Sequence, residues 1–139
     1  MGDVDGAPLG YLLYRVSSAL RPQVTAVLGP LGLTLPEFVC MRALSMRPGL
    51  SSAELARSAG VTPQAMNTVL HRLQNRGAVF RPDSVSSGRA LPANLTEAGQ
   101  DLLKRAEDAV RVADGRVLAA LTPAEQHRLR QMLERIGTQ

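Results

Sequence analysis

The chain has little of what usually anchors a core or staples a fold. Among its 139 residues there is no Trp, and the four rings are Tyr11, Tyr14, Phe38 and Phe80. The core must therefore be built from Leu, Val, Ala and Met on helices, and a core that thin is often completed by a second copy. Cys40 is the one cysteine, which excludes an intrachain disulfide and a multi-cysteine zinc site. His71 and His127 lie far apart with no ligand cluster beside either, so no metal is expected. No apolar run is long enough to span a bilayer and no signal-peptide layout is present. A reducing cytoplasm, with no membrane partner, is the expected setting. A nucleophile elbow, a phosphate loop and a paired-carboxylate motif are also missing, so neither catalysis nor a cofactor is expected.

What is present is helical. The hydrophobic share of 45% is enough for a packed core and argues against disorder. Leu9, Leu12, Leu13, Val16, Leu20, Val24 and Leu28 make one stripe of a long first helix, which Pro22 is expected to kink or split. Three later helix starts carry capping boxes, Thr34 with Glu37, Ser51 with Glu54 and Thr122 with Glu125. The second helix should stop near Met46, and the third should run from about Ala53 to Ala59 with Gly60 as its end. Thr62-Pro63 opens a fourth helix that Gly77 closes. A short strand at 78–81, a turn-rich loop at 82–88 and a returning strand at 90–95 follow, the last made irregular by Pro92. Thr96 caps a long helix with Leu102, Leu103, Ala106, Val110, Val117 and Leu118 inward. The last helix, from Pro123 to about Ile136, aligns Leu129, Met132, Leu133 and Ile136.

The expected fold is mainly α with a small β-wing: a winged helix-turn-helix flanked by N- and C-terminal dimerisation helices. It divides into residues 1–33, an N-terminal helix belonging to the dimerisation region; residues 34–96, the winged lobe; and residues 97–139, the C-terminal dimerisation helices.

The formal net charge is +4, but its placement says more. Between Val61 and Pro92, Arg72, Arg76, Arg81 and Arg89 face one acid, Asp83. If Met66, Val69, Leu70 and Leu73 are the buried face of the fourth helix, then Gln64, Thr68, His71 and Asn75 lie opposite, with Asn67 beside them. Gln and Asn can bind adenine in a bidentate way, and Thr can meet a thymine methyl. Taken alone, a polar outer face is also what any solvated helix carries. The tight Gly60-Val61-Thr62 joint and the wing turn the reading toward duplex DNA. The candidate DNA contacts are Ser51, Ser52, Thr62, Pro63, Gln64, Asn67, Thr68, His71, Arg72, Arg76 and Arg81. Ser86, Ser87 and Arg89 at the small polar wing tip join them, suited to a minor-groove or phosphate contact.

Leu33-Thr34-Leu35-Pro36-Glu37-Phe38, Ser51-Ser52-Ala53-Glu54-Leu55-Ala56, Val61-Thr62-Pro63-Gln64 leading to Leu73 and Gly77, and Leu95-Thr96 with Gly99 follow one another in a telling order. In that order and spacing the chain resembles, over nearly its whole length, the multiple-antibiotic-resistance regulator (MarR) family of bacterial winged-helix repressors. The resemblance implies a homodimer in which the first, fifth and sixth helices intertwine. Each protomer would present one recognition helix to half of a pseudo-palindromic operator. It also implies release of DNA when a small aromatic or phenolic molecule, such as salicylate, binds between the dimerisation helices and the DNA-binding lobe. Where family wings commonly carry Asp-x-Arg, this chain reads Ser87-Gly88-Arg89, so the Arg is kept without the Asp that would orient it.

For such a ligand the candidates are Tyr14, Arg15, Ser18 and Phe38, with Arg15 to pair a carboxylate and the rings to cover an aromatic body. Two alternatives stay open. One is a DNA-binding oxidant sensor acting through Cys40, although a single Cys among Phe38, Val39 and Met41 is more often an inert buried residue. The other is a winged-helix protein-interaction module, for which an apolar or acidic helix face would be expected.

Overall fold

The computed structural model describes residues 6–82 and 91–137. Helix α1 (Leu9–Leu28) leads through a 3-10 turn (Gly29–Leu31) into α2 (Leu35–Met46), α3 (Ser52–Ala59) and α4 (Pro63–Asn75). Strands β1 (Val79–Phe80) and β2 (Asn94–Leu95) follow, then α5 (Glu97–Val117) and α6 (Pro123–Arg135). The chain is mainly α with a small antiparallel wing, the fold class expected from the sequence.

The helix starts are local chemistry. At each of the three capping boxes the hydroxyl accepts the N–H three residues on, and the Glu carboxylate accepts the cap residue's own N–H. These bonds satisfy amide groups that a helix otherwise leaves open at its first turn. Pro22 does not split α1, which runs unbroken through it. The proline ring is exposed, on the side away from buried Val24 and Leu28. The carbonyl that loses its partner there, that of Ser18, belongs to an exposed residue within reach of water.

The wing strands are shorter than the sequence suggests. Val79 pairs with Leu95 and Phe80 with Asn94, and the ladder goes no further among the described residues. Pro92 has no N–H to give. Ala93 turns its hydrogen bonds elsewhere, donating to the Leu50 carbonyl at 2.9 Å and accepting from the Gly49 N–H at 3.0 Å. The wing base is thereby tied to the loop ahead of α3.

The core lies between α1, α2, α3, α4 and α5. Leu28, Met41, Leu44, Leu55, Met66, Leu70 and Leu73 are its largest fully buried side chains. All four positions expected on the inner face of α4 are buried. On α5, Leu102, Leu103 and Ala106 are buried as expected, and Ala113 joins them, while Val110, Val117 and Leu118 are half-buried. An Arg42–Glu107 ion pair at 3.0 Å fastens α2 to α5. The Gln126 amide, donating to the Leu118 and Leu121 carbonyls at 3.1 and 3.2 Å, fastens the start of α6. No single helix among the described residues is long and apolar enough to cross a membrane.

Two stripes lack cover among the described residues. Leu9, Leu12, Leu13 and Val16 of α1 are exposed, as are Met132 and Leu133 of α6 and Ile136 just beyond it. Leu129 is half-buried.

Candidate nucleic-acid interface

The exposed face of α4 is set by its two ends. Gly60 closes α3 in the left-handed region at φ +68°, which turns the chain in two residues. Thr62 then caps α4, its hydroxyl accepting the Ala65 N–H at 3.0 Å. With Met66, Val69, Leu70 and Leu73 held in the core, Pro63, Gln64, Asn67, Thr68, His71 and Arg72 are all left exposed. The Thr68 hydroxyl donates to the Gln64 carbonyl at 3.3 Å, one turn back along the same face. The face therefore offers two amides, two hydroxyls, an imidazole and a guanidinium, a set able to donate to and accept from base edges and to meet a phosphate.

The remaining candidates sit in supporting places. The Ser51 hydroxyl is buried in the α3 cap, accepting the Glu54 N–H at 3.2 Å and donating to the Glu54 carboxylate at 3.0 Å. The bonds from Ser51 hold the Glu54 carboxyl below the usual carboxylate range. Ser52 is half-buried behind it. The guanidinium of Arg81 is half-buried and donates from Nε and Nη2 to the Gln74 Oε1 at 3.2 and 2.9 Å, bracing β1 against the end of α4. Arg76 is turned toward the α1–α2 turn, with Nη1 and Nη2 donating to the carbonyls of Gly32 and Leu31, each at 2.9 Å. Ser86, Ser87 and Arg89 lie outside the described residues. Arg57, not among the candidates from the sequence, is exposed in the last turn of α3. Its signal is a cation one turn before Gly60.

The ligand candidates divide. Tyr14 and Ser18 line a cleft of about 570 Å³ along α1, together with Arg21 and Thr25. Arg21 and Thr25 also line a second cleft, of about 600 Å³, whose other walls include Leu33, Pro36, Gly60 and Val61. The two clefts thus share a rim, running from the middle of α1 to the α3–α4 joint. Arg15 is exposed on α1 and lines neither, and Phe38 is half-buried against the core. Arg21 and Thr25 were missed, yet 14, 18, 21 and 25 follow the spacing of one helix face. Among the described residues Arg21 has no ion-pair partner.

Cys40 is buried in the core. Its thiol is pushed up to about 12, chiefly by burial and further by Glu37, with Arg81 pulling the other way. A thiol so placed is not a thiolate near neutral pH, and the thiolate is the form that reacts. Among the described residues no group of three or more His, Cys, Asp or Glu is arranged to hold a metal ion.

Known proteins resemble the chain from end to end. The MarR family model matches residues 31–90. The HTH-type transcriptional repressor Rv2887 of Mycobacterium tuberculosis (strain ATCC 25618 / H37Rv) is 67% identical over 138 residues, covering 99% of each chain. The crystal structure of the Mycobacterium tuberculosis MarR family protein Rv2887 in complex with salicylic acid superposes with a TM-score of 0.81. It is 67% identical and covers 97% of this chain and 100% of that one. The structure of the same Mycobacterium tuberculosis protein in complex with DNA gives a TM-score of 0.80 at 62% identity, covering 95% and 99%.

Proposed function

The chain belongs to the MarR family, and on that premise we propose that it is a homodimeric, sequence-specific DNA-binding repressor released from its operator by a small aromatic carboxylate such as salicylate. The observation that carries this reading is the exposed face of α4, where Gln64, Asn67, Thr68 and His71 stand together over a buried apolar seam. A relative 67% identical that is named a transcriptional repressor and has been solved with DNA and with salicylic acid supports it.

The roles follow from placement. Thr62, Pro63 and Gln64 enter the major groove first, because the N-terminal end of a recognition helix leads. Asn67, Thr68 and His71 continue the reading, and Arg72 meets phosphate. Ser52 and Arg57 of α3 lie along the backbone, and Arg81, Ser86, Ser87 and Arg89 serve the wing. Residues 34–96 form the DNA-binding lobe, while residues 1–33 and 97–139 form the dimerisation half. The protein works in the cytoplasm as a regulator and not as an enzyme.

The effector sits in the cleft shared by Arg21 and Thr25. A volume of about 600 Å³ is ample for one aromatic ring. Arg21 supplies a guanidinium for its carboxylate, and Leu33, Pro36 and Val61 an apolar bed for the ring. Ligand acts by favouring a dimer whose recognition helices are wrongly spaced for the operator, and its effect is bounded by its preference for that state.

The test is a titration of the protein against its own upstream promoter DNA and a scrambled duplex, at two salt concentrations, with and without salicylate. Specific, salt-sensitive binding that salicylate weakens is the expected result. Equal affinity for both duplexes would sink the sequence-specific reading, and specific binding indifferent to salicylate would sink the effector.

A further inference from the structure

Arg76 makes a clamp between the end of α4 and the turn that follows α1. Arg76 is the residue at which α4 ends, and its guanidinium is directed to the turn between α1 and α2. It holds the Gly32 and Leu31 carbonyls, 44 and 45 residues back in the chain, each at 2.9 Å. A side-chain carbon on Gly32 would lie 3.4 Å from Nη1, so the guanidinium rests directly against that turn. The same turn forms a wall of the larger cleft, through Gly29 on one side of the clamp and Leu33 on the other. At the far side of that cleft, Gly60 and Val61 lead into the opposite end of α4. One cavity therefore touches the fastenings of both ends of the recognition helix.

We propose that Arg76 is a positioning residue that couples the cleft to α4, by holding the C-terminal end of that helix to the turn a bound ligand displaces. This deepens the effector reading above and rests on it. When the cleft fills, the 29–33 turn shifts against Arg76 while Val61 shifts against the helix start, and α4 reorients as a unit. A phosphate contact by Arg76 has no part in this account.

The test uses the full-length protein as Arg76→Met, which keeps most of the stem, and Arg76→Lys, which can still reach one carbonyl. Three quantities are read: direct salicylate binding by calorimetry without DNA, the fold-loss of operator affinity on adding salicylate, and the salt slope of DNA binding. For Arg76→Met the expected result is salicylate binding within about threefold of wild type, an unchanged salt slope, and a salicylate effect on DNA cut to under twofold, with Arg76→Lys in between. A salicylate effect of wild-type size together with a salt slope smaller by about one would overturn the proposal and make Arg76 a phosphate contact. Arg21→Ala separates the two readings. If it binds salicylate as wild type does, the cleft is not the effector site and the coupling falls with it. If it loses salicylate while Arg76→Met responds as wild type, the cleft stands and only the clamp fails. Thermal melting of each variant shows whether a lost response is lost folding, and loss of the response in Arg76→Met through a melted α4 would also count against the clamp.

Discussion

A side-chain carbon added to Gly99 would fall 2.0 Å from the carbonyl oxygen of Ala78. The first turn of α5 thus lies against the backbone that joins α4 to the wing. Thr96 seals the same joint. Its N–H donates to the Ala78 carbonyl at 3.0 Å, its hydroxyl donates to the Gly77 carbonyl, and its oxygen accepts the Gly99 N–H at 3.0 Å. Since the obstacle is main chain and not a flexible side chain, Gly99→Ala should cost about 3 kcal/mol in urea unfolding. Ala98→Gly, on the exposed side of the same turn, should cost about 1 kcal/mol from helix propensity alone. Equal costs would show that α5 and the wing base can move apart.

Cys40 bears on the oxidant-sensor alternative. With its thiol pushed up to about 12 by burial, it should resist alkylation in the native protein at pH 8 and react at the free-thiol rate only in denaturant. The same shift carries a pH dependence. Above the ordinary thiol value of 9.0 the unfolded chain loses this proton while the folded chain keeps it, so stability should fall between pH 9 and about 12. Cys40→Ala should flatten that part of the profile. Rapid labelling of the folded protein at pH 8 would reopen the sensor reading.

The reading face makes a sharper claim. Gln64→Ala should weaken the operator at the base it reads by about 1–3 kcal/mol and leave scrambled DNA nearly unchanged. Arg72→Ala should weaken both duplexes alike and lower the salt slope by about one. If Gln64→Ala weakens operator and scrambled duplex equally, the exposed side of α4 is not what reads sequence.

How much of this was legible beforehand depends on how far apart the partners lie. The caps at Thr34, Ser51 and Thr122 join residues three apart, and the buried seam of α4 repeats every three or four residues, so both can be read along the string. The polar face of α4 follows from the seam by subtraction. The wing strands are shorter than their sequence pattern because Ala93 finds its partners at Gly49 and Leu50, which no local pattern announces. The charge of Arg76 is visible in the sequence and makes it a candidate DNA contact, but its acceptors at Gly32 and Leu31, across the fold, are not. Gly99 belonged to a recognisable pattern, but its cause, the carbonyl of Ala78, required the packed wing. Arg21 and Thr25 could have been found, since they continue the line from Tyr14 and Ser18.

The uncovered stripes test the assembly. Leu12 is 42% exposed on α1 and Leu133 is 42% exposed on α6, each within a row of apolar neighbours left open among the described residues. Singly exposed apolar residues are ordinary, but rows on both terminal helices are what an interface between copies needs. Leu12→Glu combined with Leu133→Glu should therefore halve the mass seen in sedimentation and leave helical content nearly intact, because neither side chain belongs to the buried core. Operator affinity should fall by well over tenfold, since one protomer reaches one half-site and the gain from binding two together is lost. A double variant that still sediments as a dimer would place the interface elsewhere. One that sediments as a monomer yet binds the operator as before would remove two-fold symmetry from the account of DNA recognition.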